Sequence, residues 1–478
     1  MAEHAARDAV ETEHATGRDT SPTRVEQLAH YVSGSRWEDV SERAREQLKL
    51  RVLDSLGVAI GALDGEPVAM VREQVQEFGG APLATLIGAG KSAPDRAAFY
   101  NGTLVRYLDF NDSYLARRET CHPSDNLAPV LAAAEYAQAD GRTLLTALAV
   151  AYQVQNRLSE VAPVRAKGFD HTTQGAYAAA AGVARALSLD EQRTANAIAI
   201  AGTSLNALRV TRTGELSHWK GLAYPATAFG ATHAAFLAMR GVTGPREVVE
   251  GNKGFIEAIA GPFEIDWSRE NLESVGRTIL KRFNAEIHSQ SAIETLLELR
   301  SANGLTAADV ERIELDTFQV AFDIIGGGEE GDKHLVSSKE EADHSLPYLL
   351  AVALLDGQVM PEQYLPERIV AADVQELLRR VEVRPDPDLS KRFPEKHSAR
   401  VTLHMRDGRR LELEQHDYEG FHTRPMGWDA VASKFDRLAA SHVGPELRAR
   451  IRAAAADLEQ LQVEDLTRLL ATSVRTDN

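Results

Sequence analysis

The sequence predicts a mostly α protein in which a large all-helical domain, built from both ends of the chain, carries a smaller α+β domain inserted before a final helical segment. Three observations predict it. From Thr23 to residue 275 the chain is rich in Ala and Leu and apolar at the helical spacing. Near residue 310 the period changes from 3.6 to 2, and after Gly427 helical spacing returns.

Taken in order, the first 22 residues carry too many acids for a secretory or mitochondrial presequence and read as a disordered, solvated arm. Gly141 to Leu158 places Leu144, Leu148, Ala151, Tyr152 and Gln155 on one face, which predicts a buried helix. Gly175 to Leu189 is nearly all small residues; with aromatics at only 6%, small side chains must do the packing and let helix axes approach closely. Another helix starts at Ser188-Leu189-Asp190-Glu191, capped by Ser188 or Asp190. Ile313, Leu315 and Thr317 alternate with charged residues, as do Val381 and Val383, and predict strands. The clearest hairpin runs from Val401–Met405 to Leu411–Leu413, with Asp407-Gly408 supplying the positive φ of a tight turn. The helical domain is therefore expected over 23–275 and 416–478, where Val431, Phe435 and Leu438 restore the helical spacing, and the α+β domain over 276–415.

Composition excludes several functions. Lys+Arg 53 against Asp+Glu 70 gives a net charge of −17 and a pI near 5.4, with no basic stripe, so no nucleic-acid partner is expected. No run of about 18 apolar residues marks a membrane span. A single cysteine, Cys121, permits neither an internal disulfide nor a Cys-ligated iron–sulfur cluster and fits a reducing cytoplasm. His-Glu-x-x-His and paired-Cys spacings are lacking, so no metal ligands are assigned. Ile87–Ser92 looks like the end of a phosphate-binding loop, but Thr85 stands where that loop needs glycine and Pro94 starts a new segment. The Gly326–Gly331 stretch reads as a mobile loop, because no strand–turn–helix frame follows it. Cys121-His122 is not read as a nucleophile pair, since sequence neighbours seldom face each other.

Five polar clusters remain. Arg106 to Pro129 gathers Asp109, Asp112, His122 and Asp125 with Arg117 and Arg118 in a loop-like stretch. Gly168–Thr173 carries His171 into the alanine-rich helix, whose positive end keeps an imidazole neutral. Ser217–Gly221 sets Lys220 among Trp, Gly and small residues. Ile279–Ser291 holds Lys281 and Arg282 ahead of Glu286, His288 and Gln290, and Asp343–Tyr348 is the fifth. Taken singly, each is as readily a helix cap or a solvated connection as a site.

Together and in this order, YLDFNDSYLA with HPSDN, GFDHTT, SHWKGLA, LKRFNAEIHSQ, ADHSLPYLLAVALLDG and RPMGWDAVASKF resemble the MmgE/PrpD family over residues 25–440. The resemblance implies that the smaller domain is a lid over a site between the two domains. It implies a cofactor-free, metal-independent lyase that removes water from a hydroxy-tricarboxylate, foremost 2-methylcitrate to 2-methyl-cis-aconitate, with some activity on citrate and cis-aconitate. Decarboxylation of cis-aconitate and epimerisation or isomerisation of a dicarboxylate are other uses of the same groups. A non-catalytic helical binding protein is the alternative of another class. Position by position, Asp109, Ser113, His122, His171, Lys220, Lys281 and Tyr348 match the family's active-site segments, and His288 and Gln290 are carried over with them.

Dehydration requires withdrawal of the proton beside a carboxylate and protonation of the departing hydroxide. The expected assignment is His171 as base and His122, oriented by Asp109, as acid. Lys220, with Lys281 or Arg282, would stabilise the growing negative charge. Ser113, Lys281, Arg282, His288, Gln290 and Tyr348 are expected to bind substrate. The sequence leaves open which histidine is acid and which is base. The only partners expected are a small tricarboxylate and, from the Ala-rich helices and amphipathic C-terminal run, a second copy of the chain.

Overall fold

The structure, a computed structural model, describes residues 21–472. Apart from Ser21 and Pro22, the arm expected over residues 1–22 lies outside the described residues. Helix α1 (Arg24–Gly34) starts where Thr23 and Glu26 form a reciprocal capping box. It is followed by α2 (Glu42–Gly61), α3 (Glu66–Phe78), α4 (Pro94–Tyr107), α5 (Leu127–Tyr136), α6 (Gly141–Val161), α7 (Thr172–Ala186), α8 (Glu191–Ser204) and α9 (Trp219–Met239). The fold is mostly α. Asp190, and not Ser188, caps α8, its carboxylate accepting from the Arg193 N–H at 2.8 Å.

Small residues set the spacing, as their run in the sequence predicts. Helix α7 packs against α6, α8 and α9. A Cβ on Gly175 would lie 2.4 Å from the Tyr224 ring, and one on Gly182 would lie 2.8 Å from Val130 Cγ2 and 2.9 Å from Ala151 Cβ. Leu144, Leu148, Ala151, Tyr152 and Gln155 of α6 are all buried. The segment with the incomplete phosphate-loop pattern forms a hairpin of β1 (Ala84–Leu86) and β2 (Gly90–Ser92), with Lys91 paired to Glu135 at 2.9 Å. A second small hairpin, β3 (Tyr114–Ala116) and β4 (Glu119–Cys121), precedes α5.

Beyond residue 283 the helices α10 (Gln290–Asn303) and α11 (Leu346–Asp356) pack on a four-stranded sheet. Its strands β5 (Val310–Thr317), β6 (Val381–Pro385), β7 (Ala399–Met405) and β8 (Arg410–Gln415) lie in the order β6-β5-β7-β8. β5 and β6 are parallel; β5–β7 and β7–β8 are antiparallel. In the β7–β8 turn only Gly408, φ 88°, is left-handed. The Gly408 N–H donates to Met405 O at 3.0 Å and the Met405 N–H to Arg409 O at 2.9 Å, a type I turn closed by a glycine bulge.

Helices α12 (Trp428–Ala439), α13 (Pro445–Ala456) and α14 (Val463–Ala471) then return to the first layer, α12 packing along α2. The buried apolar side chains form two main clusters. One draws on residues 25–280 and 426–470 together with Met360, the other on 283–405. The returning segment is held by a close backbone approach: the Gly141 N–H donates to Leu461 O at 2.8 Å, and a Cβ there would stand 1.7 Å from Leu458 O. Among the described residues no helix is long and apolar enough to cross a membrane.

Candidate active site

The loop after α4 turns at Asp109, whose φ of 54° is a left-handed conformation that Asp adopts more easily than most residues. Ser113 and Ile279 exchange backbone hydrogen bonds at 2.9 and 2.8 Å, which lays this loop beside the extended segment carrying Lys281. Lys434 of α12 fixes both from behind. Its ammonium donates to Phe110 O at 2.8 Å and Lys281 O at 3.0 Å and pairs with Asp54 of α2 at 2.8 Å. Asp109 thereby meets Arg106 at 2.5 Å and Lys281 at 2.9 Å, with Lys220 at 3.7 Å. Burial alone would raise its pKa, but Arg106, Lys281 and Lys220 outweigh it and hold the carboxyl well below the usual range.

Lys220 enters at the first turn of α9, 3% exposed. Its Nζ donates to Asp343 Oδ1 at 2.7 Å and lies 2.9 Å from His344 Nδ1, while Lys339 holds the other Asp343 oxygen at 2.7 Å. Burial lowers the Lys220 pKa, and Asp343 and Asp109 resist that shift. Asp109, Asp343 and His344 offer ligand atoms close enough to share a metal ion, but the Lys220 ammonium already lies among them.

The two central histidines are in complementary states. His122 Nδ1 lies 2.8 Å from the Asp112 carbonyl oxygen and 3.1 Å from Ser113 Oγ. A carbonyl only accepts, so Nδ1 carries the proton and Nε2 keeps its lone pair. Burial, then Arg106 and Lys281, pushes the His122 pKa well below 6.5. His171 sits at the N-cap of α7, where Arg212 donates to its Nε2 at 3.3 Å. The proton is therefore on Nδ1, which has no hydrogen-bond partner among the described residues. Burial lowers the His171 pKa to about 3, against the pull of Asp170, itself paired with Arg212 at 2.9 Å. The two rings meet edge to face, centroids 5.4 Å apart.

One cavity of about 50 Å³ brings together Asp109, His122, His171, Lys220, Lys281 and His288 of the residues expected from sequence. The His288 Nδ1 is 2.7 Å from Glu286; burial would raise that carboxyl's pKa, but His288, with His344 and Lys281, outweighs it and lowers the pKa to about 2. The other expected residues lie elsewhere. Ser113 is behind His122. Arg282 turns outward where the chain bends after Lys281, and pairs with Glu419 at 3.1 Å. Gln290 is fully buried and caps its own segment, its oxygen accepting the Arg282 and Phe283 N–H groups at 3.0 Å. Tyr348 is buried in the second apolar cluster and donates to the Gln363 carbonyl. Nor does Asp109 orient His122; the Asp112 backbone does, since the Asp109 carboxylate is engaged by Arg106 and Lys281. Sequence reasoning missed Arg106, Arg165, Arg209, Arg212 and His344, all of which line the cavity. The available signals were the i, i+3 spacing of Arg106 and Asp109 and the place of His344 in the fifth polar cluster.

The sequence model of the MmgE/PrpD N-terminal domain matches residues 26–268, and that of the MmgE/PrpD C-terminal domain matches residues 283–460. The chain is 30% identical over 367 residues to the 2-methylcitrate dehydratase of Escherichia coli K12, covering 69% of this chain and 72% of that protein. It is 28% identical over 472 residues to the 2-methylcitrate dehydratase of Cupriavidus necator, covering 91% and 93%. It is 29% identical over 446 residues to an alkylcitrate dehydratase, phiI, of a fungal species, covering 86% of each. On the strength of both domain matches and these relatives, the chain belongs to the MmgE/PrpD family.

Proposed function

We propose that the protein is a hydro-lyase that removes water from 2-methylcitrate or a closely related hydroxy-tricarboxylate, such as citrate, without a metal ion or organic cofactor. One observation carries this reading: a neutral His122 with a free Nε2 and a His171 whose Nδ1–H has no partner among the described residues line the same cavity with six Lys and Arg residues. His122 Nε2 takes the proton from the carbon beside a carboxylate. The carboxylate gains charge as that proton leaves, and Lys220 and Lys281 stabilise it more in the transition state than before it. The carbon–oxygen bond then breaks. His122 returns the proton to the departing hydroxide, which His171 Nδ1–H steadies, and water leaves with His122 neutral again. This moves the base role expected of His171 to His122, which keeps the acid role as well, because Arg212 occupies the nitrogen with which His171 would act as base. The metal-free reading is supported by Lys220, whose ammonium supplies a cation at the one group of side chains close enough to hold an ion among the described residues.

Dehydration is favoured over decarboxylation or epimerisation by the names of the relatives. The two largely separate apolar clusters support a division into a 276–415 domain and a 23–275 plus 416–478 helical domain, the first being the lid that the family resemblance implies. The proposal includes a cytoplasmic homodimer. The test is to incubate the purified protein, with chelator present, with 2-methylcitrate, citrate and cis-aconitate while following alkene absorbance and CO2. Alkene formed from 2-methylcitrate without CO2 is expected. CO2 release from cis-aconitate would move the reading to decarboxylation, and loss of turnover on chelation would overturn the metal-free mechanism.

A further inference from the structure

Two observations left unused by the proposed reaction meet at one point: the surplus of arginines and the glycine-rich Gly326–Gly331 loop. That loop delivers Glu330 to the mouth of the cavity. Its side chain is only 4% exposed, and its carboxylate pairs with Arg209 at 2.8 Å and Arg165 at 3.4 Å. Gly327 and Gly331, with φ of 105° and 90°, shape the loop, and the Glu330 N–H is anchored on Asp323 O at 2.9 Å. Outside this point lies a second pocket of about 320 Å³ bordered by the exposed Arg117 and Arg118. Glu119, Thr120, Arg165, Arg209 and Glu330 line both spaces, so the Arg165–Glu330–Arg209 bridge stands in the partition between them.

We propose that Arg165 and Arg209 form a carboxylate subsite at the entrance, and that Glu330 is its built-in occupant, displaced by a carboxylate of the incoming substrate. This rests on the polycarboxylate reading above and names how that substrate is admitted. Without Glu330 the partly buried Arg165 guanidinium loses its carboxylate and Arg209 keeps only Asp170, at 3.8 Å, which is costly, so Glu330 leaves only when another carboxylate replaces it. Exchanging one carboxylate for another is close to balanced, which makes the bridge selective: an uncharged molecule or water offers nothing in return. Arg117 and Arg118 raise the local concentration of anions outside it.

The test is calorimetric binding of propane-1,2,3-tricarboxylate, which lacks the hydroxyl and so cannot be dehydrated, to the full chain. Removing the internal competitor with Glu330→Gln should tighten binding about fivefold, because the subsite is no longer self-occupied. In an Arg165→Gln background the same change should yield less than about twofold, since the contested subsite is gone. An equal gain in both backgrounds would mean a general charge effect and would overturn the proposal, as would unchanged or weaker binding by folded Glu330→Gln. If that variant does not fold, Arg165→Gln alone decides: about fivefold weaker binding supports the subsite and unchanged affinity removes it. Binding by the wild type with no effect of Glu330 defeats the gate but spares the polycarboxylate reading. Absence of binding by both wild type and Glu330→Gln defeats both.

Discussion

His122 owes its tautomer to one backbone atom. The Asp112 carbonyl fixes the tautomer, and burial beside Arg106 and Lys281 keeps the ring unprotonated. His122→Asn should lower kcat about 10²–10⁴-fold with little change in substrate binding. Because the active form is unprotonated and the pKa is depressed, kcat/KM of the free enzyme should fall only as pH drops well below 6.5. An acid limb at or above 6.5 in the pH profile would refute the base assignment. At this scale the sequence was half legible. His122, His171, Lys220 and Lys281 were readable because such groups stand out between apolar helices. The errors came from neighbours: Lys281 faces inward and Arg282 outward, while Tyr348 turns into the core one helical turn after His344 reaches the cavity. Which member of such a pair faces the cavity is decided by packing partners far away in the chain.

Elements were more legible, because their signals are local. The Asp190 cap, the buried face of α6 and the turn at Gly408 rest on residues within a few positions of one another. The parallel pairing of β6 beside β5 joins segments more than sixty residues apart and left no local trace. The start of α6 gives a sharp test of the difference. By helix propensity Gly141→Ala should stabilise the chain by about 1 kcal/mol. The contact with Leu458 O reverses the sign, and a loss of about 1–3 kcal/mol is expected from urea denaturation. A gain in stability would show that the α13–α14 connection does not bear on α6.

The whole molecule is tied together at the Asp54–Lys434 pair, which joins α2 to α12 and holds the carbonyls of Phe110 and Lys281. Lys434→Met should cost about 3–5 kcal/mol by stranding the Asp54 carboxyl. Adding Asp54→Leu should restore much of the stability but not kcat, since the two loops bearing Asp109 and Lys281 lose their common donor. Recovery of both in the double variant would show that Lys434 only balances charge. Net charge is equally uninformative about the site: the chain is −17, yet six Lys and Arg residues line the cavity against four Asp and Glu. Screening confines the distant acids to a range of about 8–10 Å. Finally, the chamber of about 50 Å³ is narrow, and charged side chains make up most of its wall. A search for inhibitors by shape fit to this outline alone would rank small neutral fragments above the polycarboxylates proposed as reactants. Compounds should instead be ranked by how far they slow proteolysis or raise the melting temperature, measurements that reward whatever form the protein takes around them.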